Sequence, residues 1–206
     1  NRDLMRDILD KNISLVDWET LTKPNGIRLI GFGRYAGIVG TYNGFLAWGK
    51  RFGSFDIKAA NACEDREEME GEYEKMALPS TMKIAITGAG RVARGAMEVL
   101  DGIGIKKVSP EDYLLKTFDV PVYAQLLVTD YNRKPDGSNF PKSDFYNDGS
   151  AFESDFMKYA AITDMFIPCH YFQAGSPYLF TREDAKSENF NIKVVADISC
   201  DIDGPV

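Results

Sequence analysis

Two stretches place closely spaced glycines where an apolar run ends. The first is Arg28-Leu29-Ile30-Gly31-Phe32-Gly33-Arg34-Tyr35-Ala36-Gly37; the second is Lys83-Ile84-Ala85-Ile86-Thr87-Gly88-Ala89-Gly90-Arg91-Val92-Ala93-Arg94-Gly95. Each reads as a strand, a G-x-G-x-x-A turn and a helix. That layout presses backbone close to a pyrophosphate and points a helix N-terminus at it. In the second copy Gly88 permits the tight turn, Gly90 permits close approach to the phosphates, and Ala93 stands where helix and strand pack closely. The first copy has Asp56 about 23 residues after Gly33, near the ~20-residue offset of a ribose-binding acid. The second has Ser109 near the end of its next strand, with Glu111 just beyond. Spacing alone leaves the two copies open. The longer series of elements downstream favours the second, and a plain strand–helix turn is the non-binding reading of either.

Other reactive side chains are sparse. His170, the one histidine, directly follows the apolar run Met165 to Cys169. The carboxyl end of a parallel strand faces the ligand crevice, so His170 reads either as a donor to a ligand or as the first residue of a loop. A catalytic base needs an orienting partner, and none stands near it in the sequence. Cys169 reads as a small packed residue, because nothing nearby would lower its pKa. The three cysteines, Cys63, Cys169 and Cys200, are widely spaced, which suits a reducing compartment such as the cytoplasm and suits neither a disulfide scaffold nor a zinc site. With one histidine, a multi-histidine metal site within the chain is ruled out, and no metal is expected.

The 206 residues fit one large domain or one domain with an appendage. An apolar fraction of 44% and a charged fraction of 27% are ordinary for a globular protein. A formal net charge of −7 argues against a nucleic-acid partner, which would select a basic face. No apolar run approaches the roughly 20 residues of a membrane helix, and no signal-peptide pattern is read at the start; no membrane partner is expected.

The elements that must position these residues follow from period and punctuation. Arg2 to Lys11 has helical spacing. Ile13 to Val16 and Ile27 to Ile30 read as short strands, separated by the turn Pro24-Asn25-Gly26. Tyr35 to Phe52 reads as a helix whose Ala36, Gly40, Gly44 and Ala47 make one face small enough for another element to approach closely. Glu64 to Met76 is an acidic, solvated helix. Lys83 to Thr87, Ile103 to Val108, Val120 to Val128, Met165 to Pro168 and Ile192 to Ile198 read as strands. Helices are expected over Val92 to Leu100, Pro110 to Phe118 and Phe152 to Ala161, with a helical turn at Arg182 to Lys186. Residues 131–150 are rich in Asn, Asp, Gly, Pro, Ser and Lys and read as an irregular insertion. Alternating β and α elements predict an α/β fold: a doubly wound, mainly parallel sheet with helices on both faces.

Several segments together resemble a known family. Gly31-Phe32-Gly33-Arg34-Tyr35-Ala36-Gly37 with Gly40 resembles the F-G-x-x-A-G-x-x-G segment of saccharopine dehydrogenase (lysine-forming) and lysine–ketoglutarate reductase. Thr87 to Ala96 resembles their nucleotide turn, followed by Val108-Ser109-Pro110-Glu111. Phe166-Ile167-Pro168-Cys169-His170-Tyr171 resembles their strand ending in a cysteine and an aromatic. Ser176 to Ala185 resembles the reductase P-x-L-x-T-x-x-D-A run, and Val195-Ala196-Asp197-Ile198-Ser199-Cys200-Asp201 resembles their D-I-S-x-D strand end. The matches run in order from Ile27 to Gly204.

The resemblance implies a Rossmann-like fold related to alanine dehydrogenase and the transhydrogenase nucleotide domain, with NAD or NADP as cofactor. It gives the second glycine turn to the dinucleotide and the first to the region joining two domains. Gly88, Gly90, Arg91 and Val92 would then line the pyrophosphate, and Tyr171, Asp197 and Ile198 would flank the adenosine and nicotinamide portions. Arg28 and Phe32 would lie toward the substrate. Ser109, behind Lys106 and Lys107, tolerates a 2′-phosphate better than a carboxylate would and leans toward NADP; Glu111 reaching back would restore NAD. The family's catalytic lysine and histidine lie in an N-terminal domain, so no catalytic residue is expected in this chain.

On this reading residues 1–26 belong to a preceding or joining region. Residues 27–206 form the dinucleotide-binding domain of a larger two-domain enzyme, with a small amino-acid or oxo-acid substrate, a separate catalytic domain, and homo-oligomerisation left open. Hydride would move between nicotinamide and the C–N carbon of an amino acid–oxo acid adduct such as saccharopine, and the piece alone would be inactive. The rival readings are an alanine dehydrogenase-like enzyme and a non-catalytic nucleotide-binding regulatory domain.

Overall fold

The computed structural model describes residues 2–199 and residue 204; Cys200 and Asp201 of the last motif lie outside them. The chain divides into two compact units, residues 1–32 and 33–206.

The first unit holds helix α1 (Arg2–Asp10) and a short reversal. Pro24-Asn25-Gly26 turns the chain, with Gly26 at φ +77°, so that Lys23 N–H donates to the Ile27 carbonyl and Leu29 N–H to the Leu21 carbonyl, both at 2.8 Å. Two expected strands are corrected here. Ile13 to Val16 is not a strand, and Ile27 to Ile30 contributes only the isolated antiparallel bridge Thr22–Arg28. The first glycine stretch therefore lacks the parallel strand that a phosphate-binding turn requires. Its apolar run is used up in a local hairpin-like reversal.

The second unit is built on five parallel strands: β1 (Lys83–Thr87), β2 (Lys106–Val108), β3 (Val122–Leu126), β6 (Met165–Pro168) and β7 (Val194–Val195), in the order β2-β3-β1-β6-β7. A separate antiparallel pair joins β4 (Asn132–Arg133) to β5 (Glu153–Ser154). Alternation along the buried strands sorts the core onto two faces. Ile84, Ile86, Tyr123, Met165 and Ile167 pack on α2 (Gly33–Phe52) and α4 (Arg91–Ile103). Ala85, Val122, Ala124, Leu126 and Phe166 pack on α5 (Pro110–Leu115) and α8 (Met157–Ala160). This is the doubly wound α/β arrangement that the alternating pattern predicts.

Helix α2 uses its small residues for close approach. A Cβ at Gly37 would lie 2.0 Å from the Val92 carbonyl oxygen, and one at Gly95 would lie 1.9 Å from that of Arg34, so α2 and α4 touch backbone to backbone. Further along, Gly40 and Gly44 make room for Ile198 and Ala196. Elsewhere elements are shorter than their sequence pattern predicts. The last strand is Val194–Val195, although Ala196 N–H still donates to the Phe166 carbonyl at 2.8 Å. Phe152 to Ala161 is helical only at Met157–Ala160, because Glu153–Ser154 pairs with β4 instead. Residues 131–150 contain β4, α7 (Lys142–Asn147) and the start of a 3-10 turn at Gly149–Ala151.

Candidate dinucleotide site

Strand β1 is short, apolar and buried, and ends at Thr87 level with Leu126 of β3 and Pro168 of β6. The chain must then turn sharply to enter α4. Gly88 makes that turn at φ +93°, with its N–H donated to the Leu126 carbonyl at 3.0 Å. A Cβ there would sit 2.8 Å from the Cys169 carbonyl oxygen and 3.0 Å from the His170 Cα, so both conformation and space require glycine. Gly90 is the opposite case: among the described residues a Cβ would meet nothing within 4 Å. It is the N-cap of the 13-residue α4 and supplies no side-chain cap, and the positive end of the helix dipole lies at this turn. A tight glycine, an open glycine and an uncapped helix start fit a pyrophosphate.

Arg91 and Val92 open α4; Val92 also packs into the core and beneath Gly33 and Gly37. The first glycine stretch thus serves helix packing at this point.

On one side of β1, the crevice is carried by β3 and β2. Gln125 donates from Nε2 to the Gly88 carbonyl at 2.9 Å, and Lys107 Nζ donates to Gln125 Oε1 at 2.9 Å. A cleft of about 520 Å³ opens beside them, lined by Lys107, Ser109, Gln125, Leu127 and Asp130 among others. Ser109 ends the edge strand β2, separated from β1 by β3, and its hydroxyl accepts the Asp112 N–H at 3.1 Å as the cap of α5. The strand beside β1 is β3, and the acid that follows it is Asp130, whose Oδ2 accepts the Leu127 N–H at 2.6 Å. In a dinucleotide crevice the ribose-binding acid ends the strand beside the glycine strand. Sequence reasoning missed Asp130 because β2 and α5 stand between, pushing it beyond the usual offset. The readable signal was Thr129-Asp130 at the end of the apolar run Val120 to Val128.

On the other side of β1, the chain passes from β6 into Cys169, His170 and Tyr171. Tyr171 is 81% exposed. Thr87 Oγ1 and His170 Nδ1 are 2.6 Å apart, which supplies the orienting partner absent from the local sequence. The Tyr131 ring packs on the imidazole at 5.6 Å between centroids. Burial pushes the His170 pKa down to about 4, against the opposing pull of Asp197, and burial pushes the Cys169 thiol up to about 12. Cys169 is thus a packed thiol, as its setting in the sequence suggests. Asp197 is exposed and accepts the Ser199 N–H at 2.9 Å; Ile198 is held against Gly40. The ends of β1, β6 and β7 therefore bring Gly88, Gly90, Arg91, Val92, Tyr171, Asp197 and Ile198 to one edge of the sheet. Arg28 and Phe32 belong to the first unit, where Arg28 pairs with Glu19 at 3.4 Å and Phe32 packs on Trp18 at 5.7 Å. Among the described residues no cluster of metal-ligating side chains occurs, and no helix is long and apolar enough to cross a membrane.

The half-buried histidine has a pH signature. His170 titrates near 4 in the fold and near 6.5 when unfolded, so the unfolded chain binds more protons between those values. The stability it contributes is complete above pH 6.5 and is lost as pH falls toward 4, for a total of about 3 kcal/mol. Urea unfolding at pH 7.5 and 4.5 should show wild type losing about 2.5 kcal/mol more than His170→Gln. Equal losses in the two proteins would mean that the imidazole is not held neutral.

No protein-family model matches the chain. Curated relatives do. Alpha-aminoadipic semialdehyde synthase, mitochondrial, of Mus musculus is 28% identical over 214 residues, covering 91% of this chain and 23% of that protein. The Arabidopsis thaliana alpha-aminoadipic semialdehyde synthase is 23% identical, covering 100% and 23%. Saccharopine dehydrogenase (NAD(+), L-lysine-forming) of Candida glabrata is 25% identical, covering 99% and 49%. The chain thus spans less than half the length of these relatives. Among solved structures, an L-alanine dehydrogenase matches with a TM-score of 0.39 and 16% identity, covering 89% of this chain and 43% of that one. Over nearly its whole length the chain is similar in sequence to the saccharopine dehydrogenases and alpha-aminoadipic semialdehyde synthases, the group its ordered motifs resemble.

Proposed function

We propose that this chain is the dinucleotide-binding part of an oxidoreductase of the saccharopine dehydrogenase kind. The observation that carries the reading is the glycine turn, where Gly88 is locked against Cys169 while a Cβ at Gly90, the N-cap of α4, would meet no described residue within 4 Å. Gly90 and the amides of Arg91 and Val92 bind the pyrophosphate. Tyr171, Asp197 and Ile198 border the rest of the dinucleotide, and Arg28 and Phe32 serve the substrate side. The bound nicotinamide would exchange hydride with the C–N carbon of an amino acid–oxo acid adduct such as saccharopine. His170 acts as an oriented neutral group in this scheme: Thr87 engages one ring nitrogen, and burial disfavours the charged form a general base must pass through. The acid–base residues belong to another domain of the complete enzyme, and this piece alone binds without turning over.

The cofactor is NAD in preference to NADP. Asp130 lies in the helical turn Val128–Tyr131 that follows the strand beside β1 and would accept a ribose hydroxyl, whereas a 2′-phosphate would meet its negative charge. The name of the Candida glabrata relative, which specifies NAD(+), agrees with this choice. Calorimetric titration should find NADH bound at least ~10-fold more tightly than NADPH, with Asp130→Asn narrowing the ratio. Equal affinity, or tighter NADPH in the wild type, would return the 2′ position to Ser109, Lys106 and Lys107.

A further inference from the structure

Behind the crevice wall, a small, partly open pocket lies between the loop that follows β6 and residues 131–152. Its lining includes Tyr131, Asn132, Phe145, His170 and Ser176. Its free interior is about 10 Å³, room for one water molecule.

The polar atoms around it are unmatched. Asn132 is 4% exposed and Ser176 9%, and among the described residues neither Asn132 Oδ1 nor Ser176 Oγ has a hydrogen-bond partner. The Asn132 amide cannot be reversed to cure this, because its Nδ2 donates to the Val128 carbonyl at 3.1 Å. Ser176 Oγ is pressed against Gly149, where a Cβ would come within 2.2 Å of it. His170 contributes the complementary group. Thr87 is fully buried, and its Oγ1 has His170 Nδ1 as its side-chain hydrogen-bond partner at 2.6 Å. Leaving a buried donor unmet is costly, so Thr87 donates, Nδ1 accepts, and the ring proton resides on Nε2. One donor, one acceptor and one hydroxyl thus border a space of one-water size. An apolar molecule would leave all three unpaired, and an ion would lack a counter-charge.

We propose that this cavity is a binding site for a single water molecule that accepts from His170 Nε2 and bonds Asn132 Oδ1 and Ser176 Oγ. The water joins residues 131–152 to the loop after β6, which makes that segment a support for the wall that presents His170 and Tyr171. Asn132 and Ser176 are positioning residues in this arrangement. The proposal stands apart from the dinucleotide reading, because neither test below uses a nucleotide.

A high-resolution crystal structure of the wild-type chain should show one ordered water within hydrogen-bonding distance of Asn132 Oδ1, Ser176 Oγ and His170 Nε2. No density at that point, or Asn132 and Ser176 paired to protein atoms, would overturn the proposal. In solution, Ser176→Ala removes one of the water's three partners and little bulk. Amide hydrogen exchange in the loop 170–176 should rise ~10-fold in that variant, with exchange in β1 and α4 unchanged. Unaltered exchange in the loop would show that no water holds it.

Discussion

Gly95→Ala is expected to destabilise the fold by about 4 kcal/mol or more, the largest effect of any single methyl group in the second unit. The added carbon would lie 1.9 Å from the Arg34 carbonyl oxygen, and the neighbour is backbone of a 20-residue helix that cannot rotate away. Alanine's better helix propensity returns only about 1 kcal/mol. Gly37→Ala meets the Val92 carbonyl at 2.0 Å and should behave alike. Gly71→Ala is the control, for Gly71 is helical and a Cβ there meets nothing within 4 Å among the described residues. It should be neutral or stabilising by about 0.5 kcal/mol. Urea midpoints compare the three, and a loss under about 1 kcal/mol for Gly95→Ala would show that the two helices do not meet backbone to backbone.

Gly90→Val should do the reverse, sparing the fold and abolishing the ligand. Its φ of −79° and ψ of −165° suit a β-branched residue, and the space around it is open. The isopropyl group would occupy the approach to the α4 amides. NADH affinity is therefore expected to fall ~100-fold or more, about 2.7 kcal/mol, while the urea midpoint stays within error. Gly88→Ala cannot make this separation, because its cost falls on folding: a positive φ and a 2.8 Å contact with the Cys169 carbonyl. Loss of stability without loss of binding in Gly90→Val would mean that the turn is only structural.

The sheet was legible wherever burial acts on both faces. Lys83 to Thr87 and Met165 to Pro168 are short apolar runs with no alternation to misread, and both are central strands. The second glycine turn was legible because its strand and helix are local in the sequence. Its twin failed for a non-local reason: Ile27 to Ile30 has the composition of a strand, but its partner is Leu21 to Lys23, across a Pro-Asn-Gly turn. Strand order was not legible either. Chain order puts Lys106 to Val108 next after β1, yet β3 takes the place beside β1, so Asp130 follows the neighbouring strand and Ser109 the edge strand. Nor does any local pattern join Thr87 to His170, or Gly37 to Val92. The small face of α2 announced a close approach without naming the element that makes it.

The most direct test of the account follows the backbone amides of the isotope-labelled chain by NMR as NADH is added. The account predicts saturable shifts that are largest at Gly88, Gly90, Arg91 and Val92, with a second group around Leu127 to Asp130 and smaller changes over Gly31 to Gly37. Largest shifts in the Gly31 to Gly37 stretch, or none anywhere at saturating NADH, would contradict it.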